Sequence, residues 1–504
     1  MNEWLLILIV FSPIFGVVVL SFIPKNNEKQ LKLFGILATL IPLVSTIYLY
    51  TRYIGGANLG GFKVFHEWFQ LGNGGDGFSN LYSIPFEFGV DGFSLIMLML
   101  TAILSTLAAI ASIQIKKEWK GYFILFLLLE LGMLGVFVSE NLILFFLFFE
   151  VTLVSTFFLI GKWGYMEKEK AAYSFLIYNG LGSAILLFVI MVLFARTGTA
   201  NIEILSQIMT IGGQTLLAPI STELKYVLLG GLLLAFGIKL PIFPLHTWML
   251  RVHVQAPPAV VMLHAGVLLK IGAYGIIRFG MGIFPEEFKT ISIWIAVLGV
   301  VNLLYGAFLA IIQTEFKLVL AYSSISHMGI VLIGLGAFNE AGIQGAIFQV
   351  VSHGLIAALL FFLVGLIYDR LQTTSLDQIS GLAKEAPYMA GFLLAGGMAS
   401  LGLPGLSGFV SEFMSFLGLF QTEPVLAAVG TLGIILTAVY ILRAILGLTF
   451  GLPKEDGSLQ DIKGLEYVPV VILMGLIIWV GIYPTILQHP LQEVISSIMN
   501  GMGR

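Results

Sequence analysis

The 504-residue chain predicts an all-α polytopic membrane protein of about fourteen transmembrane helices in one domain, two of them broken. Three observations carry this reading. Fifty-eight per cent of the residues are hydrophobic and 11% are charged, whereas a soluble chain of this length carries about a quarter charged residues. Apolar runs long enough to cross about 30 Å of hydrocarbon recur from one end to the other. Lysines, glutamates and histidines stand inside those runs, where a charge costs roughly 2.5–3.5 kcal/mol on insertion scales.

The predicted spans lie near residues 4–23, 31–53, 91–113, 120–138, 140–161, 172–195, 226–247, 257–280, 290–312, 317–337, 342–368, 388–420, 425–450 and 466–486. The first is preceded by Glu3 and no basic residue, so it lacks the positive flank of a signal peptide and reads as a retained helix. Residues 54–90 are Gly-rich and polar, with Asn73-Gly74-Gly75-Asp76-Gly77 among them, and read as the largest external loop. Residues 196–225 read as a second, with a short amphipathic piece at Ile202, Leu205 and Met209. In the last stretch, 487–504, Leu491, Val494, Ile495, Ile498 and Met499 recur at helical spacing, which predicts a helix along the membrane face.

Charge fixes the expected orientation. The clusters Lys25/Lys29/Lys32, Lys116/Lys117/Lys120 and Lys162/Lys168/Lys170 fall on one side, about fifteen Lys/Arg against about seven. The positive-inside rule makes that side cytoplasmic and puts both termini outside. A net charge of −3 argues against nucleic acid as a partner, and the lipid bilayer is the expected surroundings. The absence of Cys removes disulfides, thiol catalysis and Cys-ligated iron–sulfur clusters. No phosphate-binding loop or dinucleotide fingerprint is present. His66-Glu67 starts like a zinc-protease motif but lacks the second His.

Two spans are interrupted. The seventh carries Lys239 and breaks at Pro241 and Pro244; the twelfth carries Gly402-Leu403-Pro404-Gly405 just before Glu412. They lie five helices apart, as expected if approximately residues 120–280 and 290–450 are two copies of one unit. Paired broken helices in corresponding halves point to a transporter's central site. An odd repeat length starts the second copy from the opposite side.

The buried ionisable residues then read as an ion path. Glu150 lies roughly 15 Å into its helix, and beside Lys239 it could ionise and hold the lysine charged. A static ion pair that fixes helix packing is the alternative. Lys270 follows Pro257-Pro258 by about 20 Å of helix rise, too deep for snorkelling. Glu412 follows the Gly/Pro break, where water has a route. His246, His327 and His353 titrate nearest neutrality and read as relay members with the Lys/Glu set. Lys317, Glu130 and His264 are further candidates; Lys317 reads equally as an interfacial anchor. His246 and His253 do not share one uninterrupted helix, so no metal site is expected.

At these residues a resemblance is plain. Phe145–Gly161 (FFLFFEVTLVSTFFLIG), Phe236–Trp248 (FGIKLPIFPLHTW), Gly266–Phe279 (GVLLKIGAYGIIRF), Ala321–Gly329 (AYSSISHMG) and Gly402–Met414 (GLPGLSGFVSEFM) resemble the antiporter-like subunits of bacterial NADH:quinone oxidoreductase (respiratory complex I). The likeness is to the subunit M branch, the counterpart of mitochondrial subunit 4, within a wider family that also holds Mrp-type cation/proton antiporters. It covers essentially the whole chain, and Glu412 in place of a lysine points to subunit M or the Mrp D-type.

The resemblance implies fourteen helices, two inverted five-helix repeats and a proton-translocating role that couples quinone reduction to pumping. Glu150–Lys239 would be the coupling pair, Lys270 the central relay and Glu412 the exit residue. The chain would then be part of an enzyme without holding a catalytic or redox centre. Quinone, FMN and iron–sulfur clusters would belong to partner subunits, namely neighbouring antiporter-like subunits and the peripheral arm, in the bacterial cell membrane. The alternative is a subunit of a Mrp-type Na⁺/H⁺ antiporter. The chain departs from the family at Met249-Leu250-Arg251-Val252-His253, at Pro257-Pro258-Ala259-Val260-Val261, at His264, where an aliphatic is common, and at Leu318.

Overall fold

The structure, a computed structural model, describes residues 2–73, 79–211, 218–452 and 459–500. Residues 74–77 of the Gly-rich run and the last four residues of the expected amphipathic segment lie outside them. Helices α1 (Asn2–Phe22) and α2 (Glu28–Ile54) pair and lead into a two-stranded antiparallel hairpin, β1 (Val64–Asn73) and β2 (Ser79–Phe88). Then come α3 (Gly92–Ala111), α4 (Trp119–Val138), α5 (Leu142–Trp163), α6 (Lys168–Thr197), the short α7 (Ile202–Ile211), α8 (Thr222–Lys239) and α9 (Thr247–Gln255). One long helix follows, built from α10 (Pro258–Leu263), a π-turn at His264–Leu268, α11 (Leu269–Gly275) and a second π-turn at Ile276–Met281.

The second half comprises α12 (Pro285–Ile312), α13 (Phe316–Ala337), α14 (Glu340–Leu371), the single turn α15 (Leu382–Glu385), α16 (Pro387–Ser400), α17 (Ser407–Thr422), α18 (Pro424–Thr449), α19 (Tyr467–Ile482) and α20 (Thr485–Asn500). Among the described residues, 12 helices are long and apolar enough to cross a membrane, and α8/α9 and α16/α17 are two interrupted pairs besides. Starts are fixed locally. The Asp91 side chain accepts from the Ser94 N–H at 2.8 Å, Asn141 accepts from Ile143 and Leu144, and Pro258, Pro285, Pro387 and Pro424 open their helices. The 258–281 helix and α14 are buried throughout their apolar windows, so the core sits around them.

Three regions differ from the sequence reading. Residues 64–73 and 79–88, read as loop, pair as antiparallel strands, and Phe86 and Phe88 anchor them against Phe11 and Phe148 with ring centroids 5.9–6.4 Å apart. The seventh span does not run to 247. It ends at Lys239, since Pro241 and Pro244 supply no N–H, and it resumes as α9 through residues read as loop. The amphipathic segment near the C-terminus docks on the bundle: Leu491 and Ile495 are buried, Tyr50 donates to the Ile486 carbonyl, and Gly92 faces the Pro490 carbonyl with no room for a Cβ. In the 196–225 region α7 buries Leu205 and Met209 as its spacing predicts.

Candidate functional site

The break after Lys239 is held open by side chains from other helices. Phe243 donates its N–H to Asn302 Oδ1 at 2.7 Å, Asn302 donates on to the Ile325 carbonyl, and the Trp248 indole donates to the Ile238 carbonyl. Freed backbone groups at membrane depth need such partners. Lys239 is the last residue of α8, where the negative end of the helix dipole favours a cation. Its ammonium is buried without a hydrogen-bond partner, above the rings of Phe149 (5.0 Å) and Phe175 (5.4 Å).

Glu150 is not in contact with it. Among the described residues no ion pair joins the two, although the carboxylate is close enough to act on the lysine electrostatically, and Glu150 Oε1 is buried without a partner. The reason is helical geometry. Phe149 faces Lys239, and the next residue is rotated about 100° around the axis.

A second group is tightly joined. Lys270 sits on α11 between the two π-turns, features often found at functional positions. Its ammonium donates to the Ala265 carbonyl at 2.5 Å and to His353 Nδ1 at 2.7 Å. The His353 and His327 rings are 5.5 Å apart. His327 Nδ1 accepts from Gln349 at 3.1 Å and lies 3.6 Å from Glu412 Oε1; its Nε2 meets Ser400 Oγ at 3.3 Å. Ser411 donates to Gln349 Oε1. His327, His353, Gln349, Ser400 and Glu412 line a cavity of about 10 Å³, room for one water, with Ser352 and Gly408. Glu412 fits because Gly402, at φ +76°, leaves the space: a Cβ there would stand 2.5 Å from Glu412 Oε2.

The remaining candidates scatter. His246 meets the Tyr305 hydroxyl at 3.1 Å. Glu130 is wholly buried on α4 with neither carboxylate oxygen hydrogen-bonded. Lys317 lies over Tyr368 (3.8 Å) and Tyr165 (4.2 Å) in an open pocket of about 250 Å³ at the end carrying the lysine clusters. His264 has a contact the sequence did not foretell: its Nδ1 is 2.9 Å from Nε2 of His253, which had not been singled out as a relay residue. Trp248, Met249, Val252 and His253 are all buried on one face of α9, and that helical spacing was the available signal.

A bundle of membrane-spanning helices with two broken ones, and Lys, His and Glu set along its buried middle, is the architecture of antiporter-like membrane proteins. The family described as "NADH:quinone oxidoreductase/Mrp antiporter, TM" matches residues 139–437, and the chain belongs to it. It is 36% identical over 510 residues to NAD(P)H-quinone oxidoreductase chain 4 of Prochlorococcus marinus strain MIT 9515, covering 99% of this chain and 90% of that relative. It is 34% identical over 496 residues to NADH-quinone oxidoreductase subunit M of Rickettsia prowazekii, covering 97% of each. A chain in respiratory complex I from Thermus thermophilus with bound NADH superposes with a TM-score of 0.84 at 27% identity, over 99% of this chain and 100% of that one.

Proposed function

We propose that the chain is a proton-translocating membrane subunit of a quinone-reducing NADH dehydrogenase of the complex I type. The observation that carries this is the joined run Lys270–His353–His327–Glu412, with Lys239 buried at the end of a broken helix. Groups that cost several kcal/mol to bury are retained where they exchange protons with one another. Lys239, with Glu150 in electrostatic reach, takes the input role, Lys270 the centre and Glu412 the outlet. His246, Lys317 and Glu130 are further members of the proposed path, each apart from this run.

Electron transfer belongs to partner subunits, which hold the quinone, FMN and iron–sulfur clusters, and this chain converts their push into changed protonation. Moving one proton against 100 mV takes about 2.3 kcal/mol, which one switched buried charge contact can supply. Each interrupted pair counts as one crossing, giving about fourteen, two five-helix units and both termini on the outer face.

The test is redox-driven proton uptake by vesicles carrying the whole complex, in which Lys270→Ala should abolish this chain's share. A family that also holds Mrp antiporters allows Na⁺/H⁺ exchange without redox chemistry. Co-purification of iron–sulfur and quinone-site subunits with the chain decides for the first reading, and their absence for the second.

A further inference from the structure

We propose that His253 and His264 form a two-imidazole bridge that carries protons between Lys239 and the Lys270 group. The inference rests on the proton-translocating reading above. His253 comes from α9, the resumed half of the broken helix, and His264 opens the first π-turn of the Lys270-bearing helix, six residues after Pro258. Their facing nitrogens, Nε2 of His253 and Nδ1 of His264, are 2.9 Å apart, so one N–H donates and the other nitrogen accepts. The outward nitrogens, His253 Nδ1 and His264 Nε2, are both buried and both without a hydrogen-bond partner. A buried unpaired nitrogen is costly, and two of them at opposite ends of one hydrogen-bonded pair describe a wire with free ends.

Each free end has a destination. The His264 ring lies 5.9 Å from the Phe175 ring, which the Lys239 ammonium also covers, at 5.4 Å. Lys239 and Lys270 both act electrostatically on His264. On the other side, His253 is in electrostatic reach of Lys270 and His353. Trp248, Phe175 and Phe361 wall the pair, with ring centroids 4.7–5.9 Å from one or other imidazole. Those rings offer protons no other acceptor.

The transfer balances. A proton leaving the Lys239 ammonium binds His264 Nε2. The Nδ1 proton of His264 passes to His253 Nε2, and the Nδ1 proton of His253 leaves towards Lys270, which takes it up as the amine left when its own proton has passed to His353 Nδ1. One proton enters and one departs, and each ring ends protonated on its other nitrogen.

Glutamine separates relay from scaffold, because its amide keeps a hydrogen bond but passes no proton. His264→Gln and His253→Gln, each in the whole complex reconstituted in vesicles, should lower protons taken up per electron passed to quinone. The expected level is that of Lys270→Ala. The ratio is read on complexes of unaltered subunit composition, and the two variants break the pair from different helices. A ratio less than halfway down from the unsubstituted protein, in either variant, overturns the bridge. If Lys239→Ala and Lys270→Ala also leave the ratio unchanged, the translocating role itself falls; if only the histidine variants do, the bridge alone falls.

Discussion

Lys270 Nζ and His353 Nδ1 meet at 2.7 Å across two helices that touch at Gly266 and Gly354. A Cβ at Gly354 would stand 2.8 Å from the Gly266 carbonyl oxygen, so the missing side chain is what brings α14 close enough for the bond. Gly272 does the same on the other face, where the backbone of Phe236 and Leu240 comes within 2.8 Å of its absent Cβ. The lysine therefore sits in a slot cut by three glycines.

Gly354→Val should separate those helices. Overpacking of this kind costs roughly 1–3 kcal/mol, and the Lys270–His353 bond should lengthen with it. Proton uptake per electron should fall while the variant complex still reduces quinone. An unaltered ratio in assembled complex would show that the contact is dispensable.

Lys239→Ala should nearly abolish this chain's pumping and leave assembly intact. The ammonium has no hydrogen-bond partner to orphan, and its removal lifts a burial cost. The checks are subunit composition on native gels and proton uptake in vesicles. Failed assembly would assign the residue to packing instead.

For Glu150 the charge and not the contact should matter, since it acts on Lys239 without touching it. Glu150→Gln should impair proton uptake severely, and Glu150→Asp, shorter by one methylene but still anionic, should retain part of it. Equal uptake for Gln and the parent would remove Glu150 from the mechanism.

Gly402→Ala combines two penalties. A non-glycine residue at φ +76° costs roughly 1–2 kcal/mol, and the new Cβ would overlap Glu412 Oε2. The carboxylate must move off His327, so uptake should fall with only a modest loss of thermal stability. Activity equal to the parent would place the outlet elsewhere than Glu412.

Outside the membrane, burial pushes the Glu87 carboxyl up from its ordinary range, against the hydrogen bond from Asn201. A raised carboxyl contributes stability below its unfolded value, about 4.3, and loses it as pH rises through the folded one. Glu87→Gln should therefore slow hydrogen exchange of residues 82–88 relative to the parent near neutrality, with the difference closing in acid. A difference that grows in acid would reverse the sign.

Most of the membrane architecture was legible because each helix is an apolar run bounded by Pro, Gly or charge. The candidate residues were legible because Lys239, Lys270 and Glu412 are so costly where they stand. The hairpin was hidden by its glycines, although Phe86 and Phe88 at period two marked a strand. His253 was hidden because α9 is only nine residues long and follows a break, so its buried face reads as loop. That Glu150 acts on Lys239 through space, with no direct ion pair, was not legible, since spacing within a helix sets depth and says nothing of which neighbour faces across.

The single proton shared by His253 and His264 also sets a tempo. After one passage both rings hold their protons on the wrong nitrogens for a second in the same direction, and each must rotate before the next. Rotation must turn a whole ring within walls made by Trp248, Phe175 and Phe361, whereas hopping moves only a proton. The pair therefore meters protons one at a time and resists a continuous leak down the membrane gradient, as a valve does and an open file of water does not.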